Sequence, residues 1–323
     1  MKKIILLLLL MGGSLFAAPP FEPGQRVVFL GDSITHFGQW WPLVWSGYAD
    51  MKPPPRFISA GGTGDTATGA LTRLDHDVFA QNPDVVCIML GMNDVRRLTY
   101  TEQNTPEDQA AQKEALALYE TSMDSLLKQI TDKGIDCIVV TPSPYDQTLA
   151  HPKARANDPG CNDGLAIAAQ TARRLAEKYD CPAIDFHTPM TRMNAEIQKN
   201  DPATTIIGLD RVHPGEEGSR IMANMFLSAQ GRGAVLDAVP PPLQAHVDLE
   251  RNLRNIYWLE DRVLIPRGFD PADIDASKKY FRETYKPRGG ADERRVKSYL
   301  EWRGKEDVLK QQLEELWRKI CEE

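Results

Sequence analysis

Little in this chain of 323 residues points to metal, nucleotide or nucleic acid. There is no HExxH and no paired His/Cys cluster, so no metal is expected. No GxxxxGK[ST] occurs, and "GGTGDTATG" lacks the GxGxxG spacing at the first strand turn, so neither nucleotide-binding loop is present. Positive charge is not in excess. Lys and Arg number 38 against 45 Asp and Glu, a net charge of −7 without a basic, aromatic-laced patch, which excludes a nucleic-acid footprint. Cysteine is sparse, at five residues, and the odd count and spacing fit neither a metal site nor a disulfide scaffold. Cys87 and Cys137 fall inside apolar runs, where a free thiol acts as a small hydrophobe; a Cys161–Cys181 bridge is left open.

Long apolar runs are also absent, with one exception at the N-terminus. Lys2 and Lys3 precede "IILLLLLMGGSLFA", and Ala17–Ala18 offers small residues for cleavage. The pattern predicts a secretory signal peptide over residues 1–18, since the run is short for a spanning helix; a retained anchor is the alternative. Loss of Lys2 and Lys3 would take the charge from −7 to −9. The expected protein is acidic, secreted or periplasmic, and not inserted in a membrane once the signal is removed.

What remains is a regular alternation. "RVVFLG" (26–31), "RFISAGG" (56–62), "PDVVCIMLG" (83–91), "IDCIVVTPSPY" and "CPAIDFH" (181–187) read as five strands. Continuous apolar runs of this length suit strands buried on both faces. Helical patterns intervene: "WWPLVWSGYA", "ATGALTRLDHDVFA", about 106–133, 162–179 with Asn162 or Asp163 as N-cap, and 214–231 opening on Pro214. Such alternation predicts an α/β fold, a mostly parallel five-stranded sheet between helical layers. A Pro-rich connector follows near 238–244. Residues beyond 245 are dense in both charges and read as a helical extension docked on the main domain, with an apolar stripe of Leu300, Trp302, Leu309, Leu313, Leu316 and Ile320. The expected division is 19–237 and 238–323.

In parallel sheets, functional loops collect at the carboxyl ends of the strands. That rule singles out "GDSITH", "GGTGDT", "GMNDVRR" and "TPSPYDQ". A serine hydroxyl needs a base to become a nucleophile, and the usual base is a His oriented by a carboxylate. In "GLDRVHPGEEG", Asp210 stands three residues before His213, within reach of one tight turn. Donors for a developing oxyanion are offered by the Ser33 amide, by Gly61 in "SAGG" and by Asn93 in "LGMND". "GDSIT" is not GxSxG, because Thr35 stands where the second Gly would be, so the α/β-hydrolase nucleophile elbow is absent.

"FLGDSIT", "AGGTGD", "LGMND" and "DRVHP" occur in this order, and the arrangement resembles the SGNH, or GDSL-type, esterase superfamily over roughly residues 26–231. The resemblance implies a flavodoxin-like α/β/α sandwich without metal or organic cofactor. It implies Ser33 as nucleophile, His213 as base and Asp210 as its orienting acid. The oxyanion donors would be Ser33, Gly61 and Asn93, and Asp32 would bond neighbouring loops. The extension past 240 has no place in that pattern.

The substrate is expected to be an acetylated carbohydrate, such as a xylan or a sialic acid. Export, the lack of a lipid-tunnel segment, and His36, Trp40 and Trp41 just past the nucleophile lean that way, since these groups can bind and stack on a sugar. Trp40 and Trp41 can equally be helix core. A short-chain lipid or thioester hydrolase, and a non-catalytic glycan-binding module, are the competing readings. Tyr257, Trp258 and Arg262 either anchor the extension or form a substrate wall.

Overall fold

The computed structural model describes residues 18–37, 39–235, 238–283 and 291–322. The expected signal peptide, 1–18, lies outside the described residues apart from Ala18. The chain divides into two compact units, one up to Pro240 and one from Pro241.

The first unit is built on five parallel strands: β1 (Arg26–Gly31), β2 (Arg56–Gly61), β3 (Val85–Met89), β4 (Asp136–Val140) and β5 (Ala183–Ile184), in the order β2-β1-β3-β4-β5. Every residue of β2 and β3 is buried, and so is all of β1 past Arg26. This two-sided burial is why β3 and β1 past Arg26 read as unbroken apolar runs rather than alternating ones. Gly31 stands level with Gly61 on one side and Met89 on the other, so β1, β2 and β3 end together.

The flanking helices are α1 (Ser33–His36), α2 (Trp41–Ser46), α3 (Ala67–Leu71), α4 (Leu74–Asp77), α5 (Pro106–Thr131), α6 (Cys161–Lys178), α7 (His187–Gln198) and α8 (Glu216–Ala229). Helix α5 starts where its sequence dictates. Thr105 and Asp108 form a reciprocal capping box, with Pro106 in the first turn. Two helix starts differ from expectation. Helix α6 begins at Cys161 after a left-handed Gly160, because the Asn162 carboxamide is engaged by the Tyr145 amide rather than capping. Helix α8 begins at Glu216, because Pro214 is held extended in an antiparallel bridge to Ile207.

Trp40 and Trp41 belong to the core, at 1% exposure each. Trp41 stacks on Phe29, and Trp40 meets Phe29 and Phe186 edge-on. Burial of one indole is worth at most about 4–6 kcal/mol. Neither ring is available to a sugar, which corrects the stacking role expected for them. The β1 loop is apolar just past Ser33 because it must cover the sheet.

Among the described residues, the second unit includes α9 (Pro241–Trp258), α10 (Ile274–Glu283), α11 (Ala291–Arg303) and α12 (Glu306–Glu322). It has its own apolar cluster, including Ile256, Leu264, Phe269, Tyr299 and Leu313, with Tyr257 and Trp258 packed against it. Trp302 is exposed, unlike the rest of the expected stripe, since its helix turns Tyr299 inward instead. Buried Glu306 is paired with Arg303 and Lys310 and accepts a hydrogen bond from the Tyr257 hydroxyl.

Candidate active site

Ser33 is the first residue of α1, and Asp32 caps that helix by accepting the Ile34 amide at 2.9 Å. The cap turns the chain sharply out of β1 and leaves the Ser33 amide as an orphan donor at a helix start. Ser33 Oγ lies 2.8 Å from His213 Nε2, across 180 residues of sequence. On the far side of the ring, His213 Nδ1 is 2.5 Å from Asp210 Oδ2. Asp210 Oδ1 also accepts the amides of Val212 and His213, at 3.0 Å each. Partial burial opposes ionisation of Asp210, but the hydrogen bonds from the imidazole and these amides overcome it and hold the carboxyl well below the usual carboxylate range. The acid therefore stays charged and fixes the imidazole with its proton on Nδ1, leaving Nε2 to accept from Ser33.

The Asp210–His213 loop is set by three devices. Gly208 and His213 are joined by an amide-to-carbonyl bond of 2.7 Å, beside the Ile207–Pro214 bridge. A Cβ on Gly208 would lie 2.8 Å from the His213 carbonyl oxygen, so only glycine fits without movement. Arg211 adopts a left-handed φ of 68°. Its buried guanidinium donates to the carbonyls of Arg155, Asp146 and Leu149 at 2.7, 2.8 and 3.0 Å. One side chain thus ties the His213 loop to the excursion that follows β4.

The loops after β1, β2 and β3 meet beside Ser33. The Gly62 amide donates to the Gly31 carbonyl at 2.9 Å. The Asn93 carboxamide donates to the Asp65 carbonyl at 2.8 Å, leaving a second N–H on Nδ2. Gly61 does not suit the donor role expected of it. It ends β2 buried beneath α1, where a Cβ would lie 2.2 Å from the His36 nitrogen, so its glycine is required for close packing. His36 is likewise buried, at 4% exposure, with Nδ1 3.2 Å from the Gly61 carbonyl oxygen. It ties α1 to β2 and is removed from the substrate side, contrary to the sugar-binding role expected for it.

The residue that sequence reasoning missed is Gly64. It is exposed, has φ +74°, and sits third in a turn closed by the Asp65 amide on the Gly62 carbonyl at 3.0 Å. That turn geometry demands glycine. Its amide has no hydrogen-bond partner among the described residues, and it stands one residue from the carbonyl that holds Asn93. The signal was the third glycine of "GGTGD", followed by an aspartate.

Beneath these loops lies a buried ionic cluster. Arg73 donates to Asp65 at 2.6 Å and to Asp77 at 2.8 Å, and also to the carbonyls of Ala60 at 2.8 Å and Gly31 at 3.1 Å. It ties together the ends of β1 and β2. Burial pushes the carboxyls of Asp32 and Asp94 up to about 7. Asp94 accepts the Ala67 amide at 2.8 Å through Oδ1, while its Oδ2 has no partner among the described residues. Among the described residues, Cys161 and Cys181 are free buried thiols, and no helix is long and apolar enough to cross a membrane.

A serine, imidazole and carboxylate in hydrogen-bonded series at the ends of a parallel sheet define a class of acyl-transfer hydrolases. The GDSL-like lipase/acylhydrolase family matches residues 29–221, and the chain belongs to that family. An acetylxylan esterase from Geobacillus stearothermophilus is 26% identical over 227 residues, covering 94% of that enzyme and 64% of this chain. The structure of the acetylxylan esterase Axe2 from the same organism, 24% identical, matches 67% of this chain and 98% of its own with a TM-score of 0.50. A gut microbial diltiazem-metabolizing enzyme is similar over 95% of this chain and 96% of its own, with a TM-score of 0.79 at 20% identity. The latter two likenesses show the fold, a flavodoxin-like SGNH sandwich; the last covers nearly the whole chain.

Proposed function

We propose that this protein is an exported serine esterase that removes O-acetyl groups from carbohydrate, with the chemistry residing in residues 19–237. The observation that carries the reading is the 2.8 Å approach of Ser33 Oγ to His213 Nε2, with Asp210 on the other ring nitrogen. In the first step His213 takes the Ser33 proton as Oγ bonds to the acetyl carbonyl carbon. The resulting oxyanion is met by the amides of Ser33 and Gly64 and by the free N–H of Asn93 Nδ2. Each such donor is commonly worth about 10²–10³ in turnover. The sugar oxygen then leaves with the proton from His213. Water repeats the cycle, its proton passing to His213 and back to Ser33 Oγ, and acetate is released.

The acetyl and carbohydrate parts of the proposal draw support from the acetylxylan esterase relative, which favours acetylated xylan over acetylated sialic acid. Export rests on the N-terminal pattern of Lys2, Lys3 and the apolar run that follows. The test is acetate release from a panel of acetylated xylan, sialic acid and mucin, with p-nitrophenyl esters of increasing acyl length beside it. Turnover is expected on acetylated xylan, with collapse beyond a few acyl carbons. Ser33→Ala is expected to abolish both activities with the fold intact. Near-wild-type turnover in that variant would overturn the nucleophile assignment.

A further inference from the structure

The aromatic residues expected to meet a sugar are buried, but one aromatic in the same stretch is not. Phe37 follows directly on α1, and its amide donates to the Ser33 carbonyl at 2.9 Å. It therefore stands one helical turn from the nucleophile, on the same side of α1. Phe37 is 45% exposed, whereas Phe29, Trp40 and Trp41 are exposed by at most 1%. The ring centroid lies 5.3 Å from that of the His213 imidazole, with the planes tilted by 56°, and 5.9 Å from that of His36. A phenyl ring left open to water beside an otherwise polar relay is an informative exposure, unlike an isolated surface apolar residue.

Acyl transfer fixes which half of the ester lies there. The carbonyl carbon must reach Ser33 Oγ, and the carbonyl oxygen must reach the amide donors. The departing oxygen must reach His213 Nε2 to collect its proton. The alcohol half therefore lies beside the imidazole, and the acyl half does not. Phe37 borders the imidazole.

We infer that the Phe37 ring is the platform on which the alcohol half of the ester lies, and that this half presents an apolar face of C–H groups, as a pyranose ring does. The inference rests on the proposed Ser33–His213 chemistry and adds to it a residue that selects the leaving group. A consequence separates binding from chemistry. When water attacks the acetyl-enzyme the alcohol has gone, so Phe37 takes part in acylation and has no contact to lose in deacylation.

The experiment compares Phe37→Ala and Phe37→Trp with the wild type on an acetylated xylo-oligosaccharide and on ethyl acetate, whose alcohol is too small to cover the ring. Loss of one ring contact is expected to lower kcat/KM on the oligosaccharide by about tenfold, carried mainly by KM. Ethyl acetate hydrolysis and the single-turnover deacetylation rate are expected to stay within about threefold, and Phe37→Trp to retain oligosaccharide activity. An equal loss on both esters would overturn the inference and make Phe37 a support for the imidazole. No loss on either would remove the ring from the substrate path. If the wild type cleaves ethyl acetate but not the oligosaccharide, the sugar platform fails while the Ser33 relay stands; if Ser33→Ala retains turnover, the relay itself fails.

Discussion

Replacing Arg73 by methionine isolates what the buried ionic cluster contributes. The guanidinium makes four hydrogen bonds, two to carboxylates and two to strand-end carbonyls. The side chains of Asp65 and Asp77 have no exposed surface, and that of Arg73 is 3% exposed. Methionine fills much of the same volume, so the change is chiefly one of charge. It leaves two carboxylates desolvated without their cation, which costs about 3–5 kcal/mol for a broken buried pair. Urea unfolding at pH 7 reads the loss as a lower midpoint at unchanged slope. Arg73→Lys keeps the charge but not the planar fork, and is expected to fall between wild type and methionine. Because the same cation ties the ends of β1 and β2, the folded fraction of Arg73→Met should also lose esterase activity as the Ser33 and Gly64 loops part. A loss below about 1 kcal/mol at constant slope would refute the reasoning, since it would mean that the carboxylates need no cation there.

Two further outcomes are expected. The Asp94 carboxyl has its pKa raised to about 7 in the fold, against 3.8 ordinarily, so its contribution to stability is fully present below about pH 4 and lost as pH rises through about 7. Asp94→Asn should therefore flatten the fall of unfolding free energy between pH 5 and pH 8; an unchanged slope would show that Asp94 is not the titrating group. Arg211→Gly relieves the left-handed backbone while removing the three carbonyl contacts, whereas Arg211→Ala removes the contacts and keeps the strain. Alanine should be less stable than glycine by about 1 kcal/mol in thermal unfolding. Both should lose kcat on the order of 10–100-fold as His213 drifts from Ser33, and wild-type kcat in either would show that the loop holds itself.

The fold was legible because most of its strands are short apolar runs. β1, β2 and β3 are buried on both faces, and such runs announce themselves without any periodicity. The relay was legible because short motifs bracket it: Ser33 at a strand end, and Asp210 three residues before His213. Three kinds of residue were not. Gly61 and Gly64 are two glycines in one motif, and composition does not say which is packed under a helix and which sits at the turn. Only the backbone angle and the space around each separate them. Trp40 and Trp41 carried a similar ambiguity, because an aromatic pair after a strand suits a core and a binding platform alike. Arg211 gave no signal, since its partners are main-chain carbonyls from a segment about 60 residues earlier.

The sheet order has a consequence in time. Ser33, Gly64 and Asn93 all lie in the first hundred residues, on loops that three adjacent strands place side by side, while the imidazole arrives only at position 213. On the proposed relay, a growing chain therefore carries the serine and its amide donors long before it carries the base. If that relay is the catalyst, hydrolytic competence waits on one short loop late in the chain, and a fragment that stops before Asp210 would carry the serine without its base.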